Sequence, residues 1–194
     1  MGYQRLTAAG GGDVAPSIHR TQEAMTIEQI CRECDFDASG ASPIEVATAL
    51  PVLVSAIAKS IRSIPAGQLR TRPTPDVWAP VEYLGHLREA MAFHRWLIER
   101  AVAEDSPLIP MVDPDASVAE ANYREGDVDK LIGQFERRVH RLCELLRTID
   151  NEAAQRTVRL DHVAITSALI ARSAWHECHH HHSDIRRSLT VGPI

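Results

Sequence analysis

The chain has 194 residues, of which 44% are hydrophobic and 24% are charged, with a formal net charge of -5. This length predicts one domain with a sizeable core rather than two full domains. The charge composition is mildly acidic and gives no sign of the clustered basic surface that nucleic-acid binding needs. No apolar run approaches the roughly 20 residues that span a bilayer, and the N-terminus lacks the apolar region of a secretory signal. We therefore expect a cytoplasmic protein with neither nucleic-acid nor membrane partners.

The two ends of the chain are predicted to lie outside the folded domain. Residues 1–41 are interpreted as a flexible tail and lead-in, because a triple glycine at 10–12 lies in a stretch with few large apolar side chains. Residues 191–194 are a short C-terminal tail. Cys31 and Cys34 form a CxxC pair that could be half of a zinc site, but no second CxxC or matching Cys/His pair is evident. Two free thiols or a fortuitous disulfide are therefore favoured over a second metal site.

The first long helix has clear start signals. Ser42 can cap it, Pro43 suits the first helical position and Glu45 completes a capping box. Apolar residues then recur at helical spacing as far as Ile61. Pro51 lies inside this run, which predicts a kink at that point.

Three further long helices are predicted along the rest of the chain. The second covers residues 78–104, and a proline-rich connection with a short helix near 117–124 follows it. Asp127 caps the third, which has a continuous apolar stripe, and the fourth runs from about 162 to 189. No segment shows convincing period-2 alternation typical of strands. The fold class is therefore predicted to be all-α, with residues 42–190 forming a four-helix bundle that contains a long crossover connection.

Histidine is the unusual residue of this sequence, because five of its ten copies fall between positions 176 and 182. His176 and His180 are four residues apart on the fourth helix, so both imidazoles project from one face and can bind a single ion. A third ligand must come from another helix. His86 is the best candidate, since the adjacent Gly85 allows close approach of a neighbouring helix. The sequence therefore predicts a divalent-metal site formed by His86, His176 and His180.

Other polar residues near this triad are weaker candidates for a catalytic or binding role. Glu82 lies one turn before His86 and could orient an imidazole, bind the metal or act as a base. Arg172 could hold a carboxylate of a substrate or cosubstrate, although ordinary surface pairing is favoured. The remaining members of the histidine run point elsewhere around the helix, and solvated surface positions are favoured for His181 and His182.

Two motifs in this order and separation resemble the DinB/YfiT-like superfamily of metalloenzymes. The first is Trp78 followed by EYLGHL at 82–87, and the second is HECHH at 176–180 followed by the Asp-Ile pair at 184–185. The resemblance covers about residues 43–190. It implies a four-helix bundle with crossed connectivity.

The resemblance also implies a metal triad with one histidine on the second helix and two, at i and i+4, on the fourth. Carried over to this chain, these residues are His86, His176 and His180. Three protein ligands with an open position are typical of catalytic zinc sites. Three further histidines lie in the same run, and they are His179, His181 and His182. They leave open an alternative in which the metal ligands of the fourth helix are shifted by one residue. Zinc is the expected metal, with nickel, iron or manganese as alternatives.

Three functions are compatible with this resemblance. A metal-dependent thiol S-transferase, using mycothiol, bacillithiol or a similar thiol, would lower the pKa of its bound thiol to form a nucleophile. A hydrolase or isomerase would instead activate water, with Glu82 or Glu177 as a candidate base. A metal-binding, stress-associated protein without turnover is the third alternative. We expect a homodimer whose partners are a small-molecule thiol and an electrophile.

Overall fold

The computed structural model describes residues 30, 31 and 33–190. Most of the predicted N-terminal tail, and the whole of the predicted C-terminal tail, lie outside the described residues. The division of the chain into tails and a bundle therefore stays a prediction.

Seven helices and five short strands make up the described part of the chain. The helices are α1 (Pro43–Ser63), α2 (Ala66–Leu69), α3 (Pro80–Ala103), α4 (Pro114–Ala121), α5 (Val128–Leu146), α6 (Asn151–Gln155) and α7 (Ser167–Ser188). The strands are β1 (Ile30–Cys31), β2 (Phe36–Asp37), β3 (Leu108–Ile109), β4 (Thr157–Leu160) and β5 (Val163–Thr166). A single 3₁₀ turn, Tyr123–Glu125, precedes α5.

The four long helices α1, α3, α5 and α7 form the predicted four-helix bundle. Both α1 and α3 pack mainly against α5 and α7, so α1 and α3 lie at opposite corners of the bundle although they are consecutive long helices. This arrangement gives the crossed connectivity that the resemblance implies. It also places the middle of α3 against α7, where the histidines lie.

Local signals explain where the long helices begin. Ser42 and Glu45 form the predicted capping box at α1, and the Asp127 side chain accepts a hydrogen bond from the backbone of Lys130 at the start of α5. Helix α1 continues through Pro51 as one element. The apolar stripe of each helix then faces the core.

The β-hairpin before α7 corrects the expectation that no strand would form. Strands β4 and β5 pair antiparallel, and β3 adds to β4 in parallel. The hairpin turn includes Asp161 in the left-handed region, with φ 52, and acidic residues tolerate this conformation. The strands are only four residues long, which leaves too few alternating positions for a clear period-2 pattern. Helix α7 consequently begins at Ser167 instead of near residue 162.

Helix α1 departs from the expectation that no apolar segment is long enough to span a membrane. Among the described helices, α1 alone is long and apolar enough to do so by length and composition. Its apolar side packs against α5 and α7, as the core helix of a bundle does.

Gly85 gives a stability test of the contact between α3 and the segment before α5. A β carbon at residue 85 would overlap the Tyr123 ring, so we expect Gly85→Ala to lower the free energy of unfolding by about 1–3 kcal/mol. The matched control is Gly133→Ala in α5, where the new carbon meets only the flexible end of Arg137 at 3.2 Å. That change should raise stability by about 0.5–1 kcal/mol. Urea unfolding measures both, and equal effects would contradict the close contact.

Candidate metal centre

A buried carboxylate connects α3 and α7 at the centre of the bundle. Glu177 Oε2 lies 3.2 Å from His86 Nε2 and 3.2 Å from His181 Nε2. The side chains of Glu177 and His181 are only 6% and 4% exposed, whereas that of His86 is 17% exposed. We call these three residues the Glu177 cluster.

The dimensions of the Glu177 cluster fit a single metal ion. Oxygen and nitrogen ligands bound at about 2.0–2.1 Å in a tetrahedral arrangement lie about 3.3–3.4 Å from one another. The two contacts of 3.2 Å approach that separation, and one ligand atom from each residue lies within 4.8 Å of the others. Little rearrangement is therefore needed for these residues to bind an ion.

The charges of the Glu177 cluster are mutually dependent. Burial alone would raise the pKa of Glu177, but the hydrogen bonds of His181 and His86 hold it well below its ordinary value. Burial would similarly lower the pKa of His181, yet hydrogen bonds to Asp184 and Glu177 raise it to about 9. Glu177 is therefore an anion at neutral pH, which is the form that binds metals. His181 is protonated in the absence of an ion, so an ion bound at its Nε2 would displace a proton.

Asp184 fixes the orientation of His181. Its Oδ2 accepts a hydrogen bond from His181 Nδ1 at 2.8 Å, which leaves Nε2 directed at Glu177. Asp184 also pairs with Arg187. A carboxylate that holds the far nitrogen of an imidazole is the usual support of a metal-binding histidine.

Aromatic rings cover the Glu177 cluster on one side. The ring of Trp78 lies 5.1 Å from that of His86 and 6.2 Å from that of His181. The Tyr83 ring lies 5.4 Å from the His181 ring. Trp78 is 2% exposed, so this wall excludes water from one side of the cluster and restricts the two imidazoles.

The other two members of the predicted triad lie in a different group. His176 and His180 have ligand atoms within 4.8 Å of those of Cys31 and Cys34; we call these four residues the Cys31 cluster. The structure therefore brings His86 together with Glu177 and His181, and places His176 and His180 beside the N-terminal hairpin. The cause is helical geometry, because adjacent residues differ in direction by about 100°.

Glu82 is occupied in other contacts. Its carboxylate accepts hydrogen bonds from Arg72 Nε at 2.8 Å and Nη2 at 3.1 Å. It also accepts the backbone N–H of Ala79 at 2.8 Å, at the start of α3, and Arg124 lies 3.5 Å away. Within the described residues, Glu82 thus acts as a helix cap and ion-pair partner, and no hydrogen bond joins it to an imidazole.

Arg172 lies one turn before His176, on the side of α7 that faces the N-terminal segment. Its Nη1 donates a hydrogen bond to the backbone oxygen of Ala41 at 3.2 Å. Burial lowers the pKa of its guanidinium. Arg172 therefore helps to fix the N-terminal segment, and within the described residues no hydrogen bond joins it to the Glu177 cluster.

The sequence analysis favoured a surface position for His181 and considered Glu177 only as a candidate base, whereas both side chains are buried beside His86. A signal for them exists in the apolar pattern of α7. Glu177 and His181 continue the spacing of the buried stripe that includes Ile170, Ala174, Cys178 and Ile185. Polar residues at core positions of an amphipathic helix indicate an internal site.

Comparisons with known proteins agree with this fold. The family model of the DinB superfamily matches residues 54–183. The structure of YfiT from Bacillus subtilis, described as "a probable metal-dependent hydrolase with an unusual four-helix bundle topology", is similar with a TM-score of 0.71 and 18% identity, over 79% of this chain and 89% of that one. Among curated proteins, none matches this sequence. Since the family model covers more than half of the chain, this protein belongs to the DinB superfamily.

Proposed function

We propose that this protein is a divalent-metal enzyme whose ion is held by His86, Glu177 and His181. The observation that carries the proposal is the convergence of two imidazole nitrogens on one buried carboxylate oxygen, each at 3.2 Å. The donor set keeps the i, i+4 spacing that the resemblance implies on the last helix, with a glutamate in place of one histidine. Two histidines and one glutamate are a ligand set of catalytic zinc, and also suit non-haem iron.

A metal in this position would lower the pKa of a bound thiol or water and so supply a nucleophile at neutral pH. The residues of the chain provide the rest. Glu177 supplies negative charge in a buried setting, and Asp184 holds the His181 ring in the orientation that directs Nε2 inward. Trp78 restricts the His86 ring and limits water from that side.

Thiol S-transfer is the reaction that we propose. The sulfur of a small thiol, such as mycothiol or bacillithiol, forms a bond to an electrophilic carbon. The leaving group departs with its electron pair, and the thiol proton passes to solvent. The support is the superfamily resemblance together with a three-ligand site that leaves a coordination position for sulfur.

Hydrolysis is the second candidate function, because the His₂Glu donor set also occurs in hydrolytic zinc enzymes. The description of YfiT as a probable metal-dependent hydrolase points the same way. In that case water would attack the substrate without any thiol. A metal-binding role without turnover is the remaining alternative.

Metal content and substrate panels on untagged protein test the proposal. We expect wild type to consume low-molecular-weight thiols in the presence of an electrophile panel, and His86→Ala to lose both this activity and the metal of the Glu177 cluster. His140→Ala is the matched control, because the His140 side chain is 70% exposed on α5 and its loss should change neither.

The other outcomes separate the alternatives. Turnover of ester or amide substrates in the absence of a thiol would show that the enzyme is a hydrolase and not a thiol S-transferase. Full metal occupancy with no turnover on either panel would leave a non-catalytic metal-binding protein. Activity that survives His86→Ala, or metal content that survives it in a Cys31→Ser background, where the Cys31 cluster no longer contributes, would overturn the assignment of the site.

A further inference from the structure

The N-terminal hairpin brings the CxxC pair to the face of α7 that carries His176 and His180. Cys31 is the last residue of β1 and pairs with Phe36 of β2. Cys34 lies in the turn between the strands, directly before Asp35 in the left-handed region, with φ 54. This tight turn places both thiols close to the two imidazoles.

Several contacts hold the hairpin against α7 independently of the cysteines. The Phe36 ring lies 4.9 Å from the Trp175 ring and 4.7 Å from the His179 ring, and it stacks on the His176 ring at 5.8 Å. Arg187 donates a hydrogen bond to the backbone oxygen of Glu33 at 3.1 Å. The four polar side chains are therefore assembled by packing around them.

The contact between Cys31 and His180 has the separation of two ligands on one zinc ion. A sulfur at about 2.3 Å and a nitrogen at about 2.0–2.1 Å from a tetrahedral zinc ion lie about 3.6 Å apart. The measured distance from Cys31 Sγ to His180 Nδ1 is 3.6 Å. One ligand atom from each of the four residues lies within 4.8 Å of all the others. The set and its spacing, C-x₂-C with H-x₃-H, are those of structural zinc.

A second observation points to a ligand at the same place. His176 Nε2 is buried and has no hydrogen-bond partner within the described part of the chain. An imidazole nitrogen that is removed from water without a partner is unfavourable, and a metal ion would satisfy it. The other nitrogen of His180 faces Asp184 Oδ2 at 3.4 Å, which leaves His180 Nδ1 for the cluster.

We propose that Cys31, Cys34, His176 and His180 bind one zinc ion in a closed, structural site. Four protein ligands fill the tetrahedral coordination of zinc, so this site holds the hairpin on α7 and has no position for a substrate. It is separate from the Glu177 cluster and does not rest on the proposed function.

Cobalt substitution tests the proposed zinc site without reference to activity. Untagged, metal-free protein is titrated with Co²⁺, and wild type should develop a thiolate-to-cobalt charge-transfer band in the near ultraviolet. Cys31→Ser and His176→Ala should each lose most of this band. His86→Ala and His182→Ala should retain it, since His86 belongs to the Glu177 cluster and His182 contacts Ser60. Absence of the band in wild type, or its survival in Cys31→Ser, would overturn the site.

Thiol accessibility provides a second test that needs no variant. In zinc-loaded wild type, a thiol reagent should modify no cysteine rapidly, because Cys143 and Cys178 are buried and the CxxC pair is bound. A chelator should release zinc and expose two thiols per chain. Two reactive thiols before chelation would overturn the proposal even where the variants fold poorly.

Discussion

His181→Ala is expected to abolish metal binding at the Glu177 cluster, with a loss of affinity greater than about 100-fold, because even partners behind the ligands contribute 10–100-fold. The measurement is zinc binding in a Cys31→Ser background, where the Cys31 cluster no longer contributes. In that background His176→Ala should leave the affinity unchanged, since His176 lies in the other cluster.

This pair of variants decides the register of the last helix. The sequence motif predicts that His176 and His180 join His86, whereas the structure groups His86 with Glu177 and His181. Retained binding in His181→Ala, combined with loss in His176→Ala, would restore the grouping predicted from the motif. His140→Ala again serves as the control, because this exposed residue lies on α5.

Trp78→Ala is expected to lower the free energy of unfolding by about 3–5 kcal/mol, the range for removal of a large buried aromatic side chain. Trp78 is 2% exposed and contacts Tyr83 and His86. Trp96→Ala is the matched control, because Trp96 is 40% exposed and should cost about 1 kcal/mol. Urea unfolding in the presence of a chelator removes the contribution of bound metal. Similar losses for the two tryptophans would contradict the proposed packing around the cluster.

The bundle was predictable because its signals are local. Ser42 and Asp127 cap their helices through side chains only three residues from the groups that they bind, and apolar stripes mark the buried faces. The hairpin before α7 was missed because its strands are only four residues long. These strands pair with each other across a two-residue turn, and β3, which is distant in the sequence, adds only to β4.

The candidate metal centre could be predicted only in part, since the sequence identifies the pair of helices that carries the candidate ligands but does not fix the rotation of α7. In a run of four histidines, every choice of register offers a plausible ligand, and a shift of one residue turns the chosen face by about 100°. Packing decides the register: His180 contacts Cys31, His181 faces α3 through His86, and His182 bonds to Ser60 on α1. The histidines beside the CxxC pair could not be paired with it from the sequence, because His180 lies 149 residues from Cys31 in the chain and only folding brings them together.

The position of Asp184 would couple ions bound at the two clusters. Its Oδ2 lies 2.8 Å from His181 Nδ1 and 3.4 Å from His180 Nε2, so one carboxylate oxygen serves a ring from each cluster. An ion that withdrew electron density from one ring would strengthen the interaction of that ring with Asp184, and the other ring would then meet a weaker partner. By reciprocity, whatever factor the first ion imposes on the affinity of the second cluster, the second imposes on the first. Occupancy of the hairpin site would thus change the affinity of the Glu177 cluster for its ion.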